Sequence, residues 1–389
     1  MYRPQRTTVG YVVNTRSMTV ALLQYKRDQT ALLIEPWLTN STFTLLQGAE
    51  LCGKLENAST CNRWIRPFFF AVQNAIRDAL IDTWKRVQGY YMRMGIDKVK
   101  SKYNLPPSLE KRLSGLIARD KALLLWHSKA TFTIPAATKP VLRYLQESLS
   151  NPEVKWEKSI AHWIPRDPTF VAAGDASQIA GGAMIEELEI WFDVYWTDRV
   201  RRGCKLPPSD PAFIHINVLE FIVVLLQLAA CIVAEESGYA RTICGEALPE
   251  IPHLFVWTDN TASKSWANKV TTGSRRAQPL LGILSSLLRR SNIGFESDHI
   301  AGVSNDGPDF ISRPDRAKEP SLTHFHRSQQ IIMNYRRLKS WTFFRPSHDL
   351  TSLLESMLFS ELWVEPPSLP KILGRLEPSV STGSSFVWI

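Results

Sequence analysis

Four acidic residues stand where an apolar segment meets a turn or a helix start: Asp175 in FVAAGDAS, Glu220 in INVLEF, Asp259 in FVWTDN and Asp309 in GVSNDGPDFISR. A carboxylate beside apolar chain is costly to bury unless positive charge compensates it, and a bound metal ion is the usual compensation. Four such groups converging on one point would hold two Mg²⁺ ions, a constellation suited to phosphodiester cleavage. Each acid also has a plainer reading. Asp175 suits an Asx-turn after a strand, Asp259 suits a helix cap, and Glu220 in a first helical turn complements the helix dipole. Asp309 also lies early in a helix, and Asp306 competes with it as the fourth ligand. Four acids at equivalent positions of one sheet are harder to explain as separate caps than as one site.

The elements that must position these acids follow from hydrophobic periodicity. FVAAGDAS reads as a short strand ending in small polar residues, and GGAMIEELEIWFDVYWT as two further strands. Asn217 is the expected N-cap of NVLEFIVVLLQLAACIVAEESG, a helix apolar on nearly every side and therefore central. HLFVWTDN is a strand ending at an acid, followed by helices at TASKSWANKV and AQPLLGILSSLLRRSN. NIGFESDHIAG reads as a last strand and NDGPDFISR as the start of a final helix. The sum is a mixed sheet with helices on both faces.

Outside this region, residues 1–42 alternate as a β-hairpin, with NTRS as the turn between VGYVV and MTVALLQY. Residues 43–164 carry three-and-four apolar spacing and read as helical, as in PFFFAVQNAIRDALIDTWKRV. HWIPRDPTF sets the expected boundary near Pro165, so that 165–315 is the acid-bearing α/β domain. Residues 316–389 read as an irregular tail, with one amphipathic helix in HDLTSLLESMLFSELW and a Pro/Ser/Gly-rich end.

Composition narrows the partners. With 44% hydrophobic residues, the chain has material for two or three packed domains, and its net charge of +9 favours a polyanion. Six cations, Lys85, Arg86, Arg93, Lys98, Lys100 and Lys102, face Asp97 alone and enclose Tyr90, Tyr91 and Tyr103. Cations for phosphates and rings for bases make a nucleic-acid groove, although a solvated helix face has the same composition. Five cysteines with no CxxC pair exclude a zinc ribbon and favour a reducing compartment. The N-terminus lacks signal-peptide architecture, and the apolar run Phe221–Ala234 is too short to span a bilayer. An intracellular protein, in cytoplasm or nucleus and neither secreted nor membrane-bound, is expected.

The order of the acids discriminates among nucleases. A proofreading-type exonuclease needs Asp-x-Glu on its first strand, but Asp175 is followed by Ala176 and Ser177. Transposase-type nucleases place their Glu last. Asp, Glu, Asp, Asp is the order of ribonuclease H. At GDAS (174–177), INVLEF (216–221), WTDN (257–260) and HIAGVSNDGPDFISR (299–313), the chain resembles the ribonuclease H domain of reverse transcriptases from LTR and DIRS-like retroelements. In the last block Asn305 matches the family Asn and Asp309 the acid, which prefers Asp309 over Asp306. Pro308 departs from the small residue usual before that acid.

The resemblance implies a ribonuclease H-like α/β fold: a mixed five-stranded sheet flanked by helices, preceded by a thumb/connection-like helical region. It implies Mg²⁺-dependent cleavage of the RNA strand of an RNA·DNA hybrid by two ions, which Mn²⁺ may replace. Asp175 would bridge both, Glu220 and Asp259 would serve one, and Asp309 the other. His299 matches the family's mobile histidine, with an ordinary strand-end histidine as the competing reading. Ser177, Asn217 and Asn260 are candidate donors to the hybrid, and Arg275-Arg276 and Arg289-Arg290 candidates for its DNA strand. The opening hairpin with LLQGAELCGKLENAS resembles the palm-to-thumb passage of a retroelement polymerase, and DKALLLWHSKA the connection. The polymerase's aromatic residue followed by paired aspartates is absent, so copying is not expected. Other parts of a retroelement polyprotein are implied partners. The alternatives are a catalytically inactive nucleic-acid-binding relic and an assembly role for residues 1–160.

Overall fold

The computed structural model describes residues 5–8, 11–68, 70–79, 131–151, 156–162, 166–272, 274, 276–313, 331–332, 336–360 and 369–379. The chain divides into two compact units, Met1–Lys158 and Ser159–Ile389. The cation-rich stretch with Lys85, Arg86 and Arg93 lies outside the described residues, as does Arg275.

In the first unit, β1 (Gln5–Thr8), β2 (Tyr11–Asn14) and β3 (Thr19–Leu22) form an antiparallel meander. The expected turn joins β2 to β3, with Asn14 Oδ1 accepting from the Arg16 and Ser17 N–H groups at 3.0 and 3.2 Å. Helices α1 (Gln24–Thr39), α2 (Leu45–Cys61) and α3 (Thr138–Ser150) supply the apolar packing. Thr44 and Gln47 close a capping box on α2, which stops the chain from fraying at a helix start. The 43–164 stretch is not purely helical. β4 (Thr42–Thr44) pairs with β5 (Thr131–Thr133), and β6 (Glu157–Ser159) joins the opening meander beside β3.

The second unit is built on a seven-stranded mixed sheet. β7 (Phe170–Ala176) runs antiparallel to β8 (Ala180–Ile185), which runs antiparallel to β9 (Ile190–Tyr195). On the other side β7 is parallel to β10 (His253–Thr258), itself parallel to β11 (Gly294–His299). β8 and β9 are buried at every position, as strands covered on both faces must be.

Two strands were not foreseen. β12 (Thr342–Pro346) pairs parallel with β9, and β13 (Gly374–Pro378) pairs antiparallel with β12, so the sheet has seven strands and not five. Residues 316–389 are therefore not merely an irregular tail. Trp191 packs edge-on against Phe343 at 4.8 Å and Phe192 against Phe344 at 5.8 Å between ring centres. Trp191 Nε1 donates to Ser379 Oγ at 2.8 Å, and buried Arg345 is neutralised by Glu377 at 3.0 Å. The amphipathic helix expected there is present, capped by Ser347.

The helices follow in order: α4 (Asp198–Lys205), α5 (Ile216–Glu236), α6 (Tyr239–Cys244), α7 (Thr261–Lys269), α8 (Gln278–Arg290), α9 (Asp306–Ser312) and α10 (His348–Phe359). α5 is the one described helix apolar and long enough to cross a membrane by composition, and it is buried inside this unit. It lies against β7 and β8 because both strands present glycine there. A Cβ on Gly174 or Gly181 would come within 2.7 or 2.6 Å of Val223. The N-cap of α5 is His215 and not Asn217: the His215 Nδ1 accepts from the Asn217 N–H at 3.2 Å, and Asn217 already lies inside the helix.

Candidate metal centre

Asp175 sits at the penultimate position of β7, opposite Gly182 of β8. Residues opposite one another in an antiparallel pair share a face, so the space above Gly182 is the space beside Asp175. α9 fills it, since a Cβ on Gly182 would collide with the Ile311 side chain. The glycine thus lets the helix bearing Asp309 rest on the strand beside the first acid. Asn305 reinforces the contact, its Nδ2 donating to the Gly174 carbonyl at 3.0 Å.

Glu220 reaches the same edge from the opposite face. It is the fifth residue of α5 and 4% exposed, and its Oε1 accepts from the Ala176 N–H at 2.9 Å. Asp259 follows the last residue of β10, parallel to β7, so the two aspartates emerge side by side at the carboxyl ends of neighbouring strands. One carboxylate oxygen from each of Asp175, Glu220 and Asp259 lies within 4.8 Å of the others, making a group able to hold a metal ion.

Asp309 is not in that triad, although it lies near enough to raise the Asp175 and Asp259 carboxyls electrostatically. Its carboxylate pairs with Arg313 one helical turn on, at 2.5 Å. Asp306 is exposed at the start of α9 and contributes to none of the shifts in the triad.

Burial and repulsion between neighbouring acids raise all three carboxyls. Burial pushes the Asp175 carboxyl up to about 6, repulsion from Asp259 and Asp309 adds to it, and the Ser312 hydroxyl and Arg313 oppose it. Burial, then the Asp175 charge, hold Glu220 well above the usual carboxylate range against the Ala176 N–H. Asp259 is raised chiefly by burial, with Arg313 opposing and Asp309 reinforcing. An all-oxygen set of acids crowded this closely suits a hard divalent ion such as Mg²⁺ or Mn²⁺.

Two residues matter more than their sequence positions suggested. The Ser312 hydroxyl is fully buried and donates to Asp175 Oδ2, while its carbonyl accepts from Ser177 Oγ at 2.6 Å. Arg313 is the cation acting on Asp175, Glu220 and Asp259 alike, besides pairing with Asp309. The Ser-Arg ending of the FISR block was their only signal, and nothing local in it says that the pair folds back onto Asp175.

The remaining candidates are placed as follows. The exposed His299 ring has Nε2 3.1 Å from the Asp259 carbonyl oxygen, in the geometry of a donated hydrogen bond. Ser177 Oγ is engaged in the β7–β8 turn, accepting from Ile179 and Ala180 N–H groups at 3.1 Å each. Asn260 caps α7 through Oδ1 and donates to Asn217 Oδ1 at 2.8 Å, while Ser263 Oγ donates to the Asn217 carbonyl at 2.9 Å. These three side chains therefore hold the turns around the acids together. Arg276 does not face the acids' edge as a free cation: it donates to the Pro211 and Leu358 carbonyls and pins the loop before α5. Arg290 is likewise committed, to Glu236 at 2.7 Å.

No protein-family model matches this sequence, and no curated protein is significantly similar to it.

Proposed function

We propose that the chain is a metal-dependent endonuclease that hydrolyses the RNA strand of RNA·DNA hybrids, as the cutting portion of a retroelement reverse transcriptase. One observation carries the reading: Asp175, Glu220 and Asp259 meet at one sheet edge, with the Asp309 helix laid beside the first of them. Asp175, Glu220, Asp259 and Asp309 would hold two Mg²⁺ ions, with Mn²⁺ able to substitute. Bound there, the ions would supply the water activation and charge stabilisation that phosphodiester hydrolysis needs. The chain's own contribution is preorganisation. Ser312 fixes the Asp175 carboxylate, the Ala176 N–H fixes Glu220, and Arg313 offsets the charge of the group. His299 is exposed beside Asp259, whose carbonyl its ring contacts, and would face the scissile strand there. Hybrid selection would rest on A-form shape and 2′-hydroxyl contacts, not on base sequence.

A binding relic without turnover is the competing reading, and it is favoured by Asp309 pairing with Arg313 and standing outside the group of three acids whose oxygens meet. Incubation of a labelled hybrid with Mg²⁺ separates the two. Wild type should cut the RNA strand, and Asp175→Asn and Asp259→Asn should each lose more than about a hundredfold, since loss of an outer partner alone costs ten- to a hundredfold. Hybrid binding with no cleavage by wild type would leave the relic standing. Equal cleavage by all three proteins would reveal a contaminant.

A further inference from the structure

Helix α4 contributes no residue to the acid cluster and was not foreseen within the 165–315 domain. Its sequence, DRVRRGCK, sets Arg199, Arg201, Arg202 and Lys205 against the single acid Asp198. Val200, Gly203 and Cys204 are buried, and the four cations are exposed. At 3.6 residues per turn, Arg201, Arg202 and Lys205 fall together on the side opposite the buried three. Arg199 lies elsewhere, stacked 3.8 Å from the Phe359 ring centre.

Both ends of α4 are tied to the edge where the acids gather. The Trp196 indole N–H, just before the helix, donates to the Ser177 carbonyl at 2.8 Å, two residues past Asp175. At the far end the Ile214 N–H donates to the Gly203 carbonyl at 3.1 Å, and α5, which carries Glu220, begins at Ile216. A Cβ on Gly203 would lie 2.7 Å from Ile214, so the buried face of α4 is closed against this returning loop. The cationic face is left to solvent. Asp198 pairs with Arg201 on the surface, where such a pair is worth little. Asp210, in the returning loop, is turned inward to accept from the Ala212 N–H at 2.7 Å.

We propose that the Arg201, Arg202 and Lys205 face of α4 is a phosphate track that leads the nucleic-acid backbone to the acid edge, an inference that rests on the nuclease reading. Cations that neutralise phosphates release counterions, so each contact leaves its mark on the salt dependence of binding.

The test is fluorescence anisotropy of a labelled RNA·DNA hybrid with the full chain in EDTA, over a series of salt concentrations. For Arg201→Gln/Arg202→Gln/Lys205→Gln, the slope of log affinity against log salt should become shallower by about 2 to 3, with at least about a tenfold weakening at low salt. Arg241→Gln/Arg337→Gln, with Arg241 in α6 and Arg337 paired to Glu186 just past the end of β8 remote from Asp175, should keep the wild-type slope. An unchanged slope in the triple variant, an equal loss in the control, or no hybrid binding by wild type each overturns the track. Melting curves verify folding of both variants. Cleavage in Mg²⁺ is scored separately. A wild type that cuts while the triple variant keeps its slope refutes the track alone. A wild type that binds through α4 without cutting refutes the nuclease alone.

Discussion

Assembling the acids has a cost at Asp175 that can be followed by titration. Its carboxyl is raised from 3.8 to about 6, so the folded, metal-free protein keeps a proton that the unfolded chain releases. Stability from this group is whole below about pH 4 and lost as pH rises to about 6, a penalty of about 3 kcal/mol above that window. Asp175→Asn removes the titration. In EDTA the variant should outlast wild type in urea by up to that amount at pH 8, and by little at pH 4. Parallel pH profiles for the two proteins would refute the assignment. Ser312→Ala should leave the fold standing yet weaken Mn²⁺ binding by about tenfold in calorimetry, the ordinary scale for losing a partner that orients a ligand. Asp175 and Asp259 were legible because each ends an apolar strand, and Glu220 because it interrupts an otherwise apolar helix. Ser312 was not, since its partner Asp175 lies 137 residues upstream and no local pattern encodes the contact. Nothing local says that Arg313 faces Asp175, Glu220 and Asp259 besides the neighbouring Asp309.

At the level of elements, the close approach of α9 to β8 makes Gly182 the sensitive joint. Gly182→Ala drives a methyl into Ile311 and should cost about 1 to 3 kcal/mol, as overpacking does. Adding Ile311→Ala should restore part of that loss in a double-mutant cycle, whereas strict additivity would show that the two do not touch. The strands that end in acids and the apolar α5 were legible from periodicity, as were α7, α8 and α10. β12 and β13 were not. TFFRP and GRLEP are five residues each, and charged Arg375 and Glu377 sit among the second strand's apolar positions. Their strand state comes from pairing with β9 and with each other, which outweighs local preference. The α5 cap was misread for a related reason: Asn is the better intrinsic cap, but the extended backbone falls at His215.

For the whole molecule, the consequence is where the second unit ends. A fragment cut at 315, the boundary the sequence pattern suggested, lacks β12, which pairs with β9, and β13 beyond it, and uncovers Trp191 and Phe192. Residues 159–315 should bind a hydrophobic dye and melt without a sharp transition, while 159–379 should melt cooperatively. Equal melting of the two would mean that β12 and β13 are dispensable. The fold class was readable from the alternation of strands and helices, but the extent of the sheet depended on pairings between segments about 150 residues apart.

The hydroxyl that steadies Asp175 belongs to a residue 137 positions later in the chain. At synthesis rates of 5 to 20 residues per second, about 7 to 27 s separate the making of the first acid from the making of Ser312. During that interval Glu220, Asp259 and Asp309 are added in turn, while Asp175 still lacks the hydroxyl that donates to it in the fold. The nascent chain, still beside the messenger being read, therefore holds an incomplete acid cluster until residue 312 has been translated.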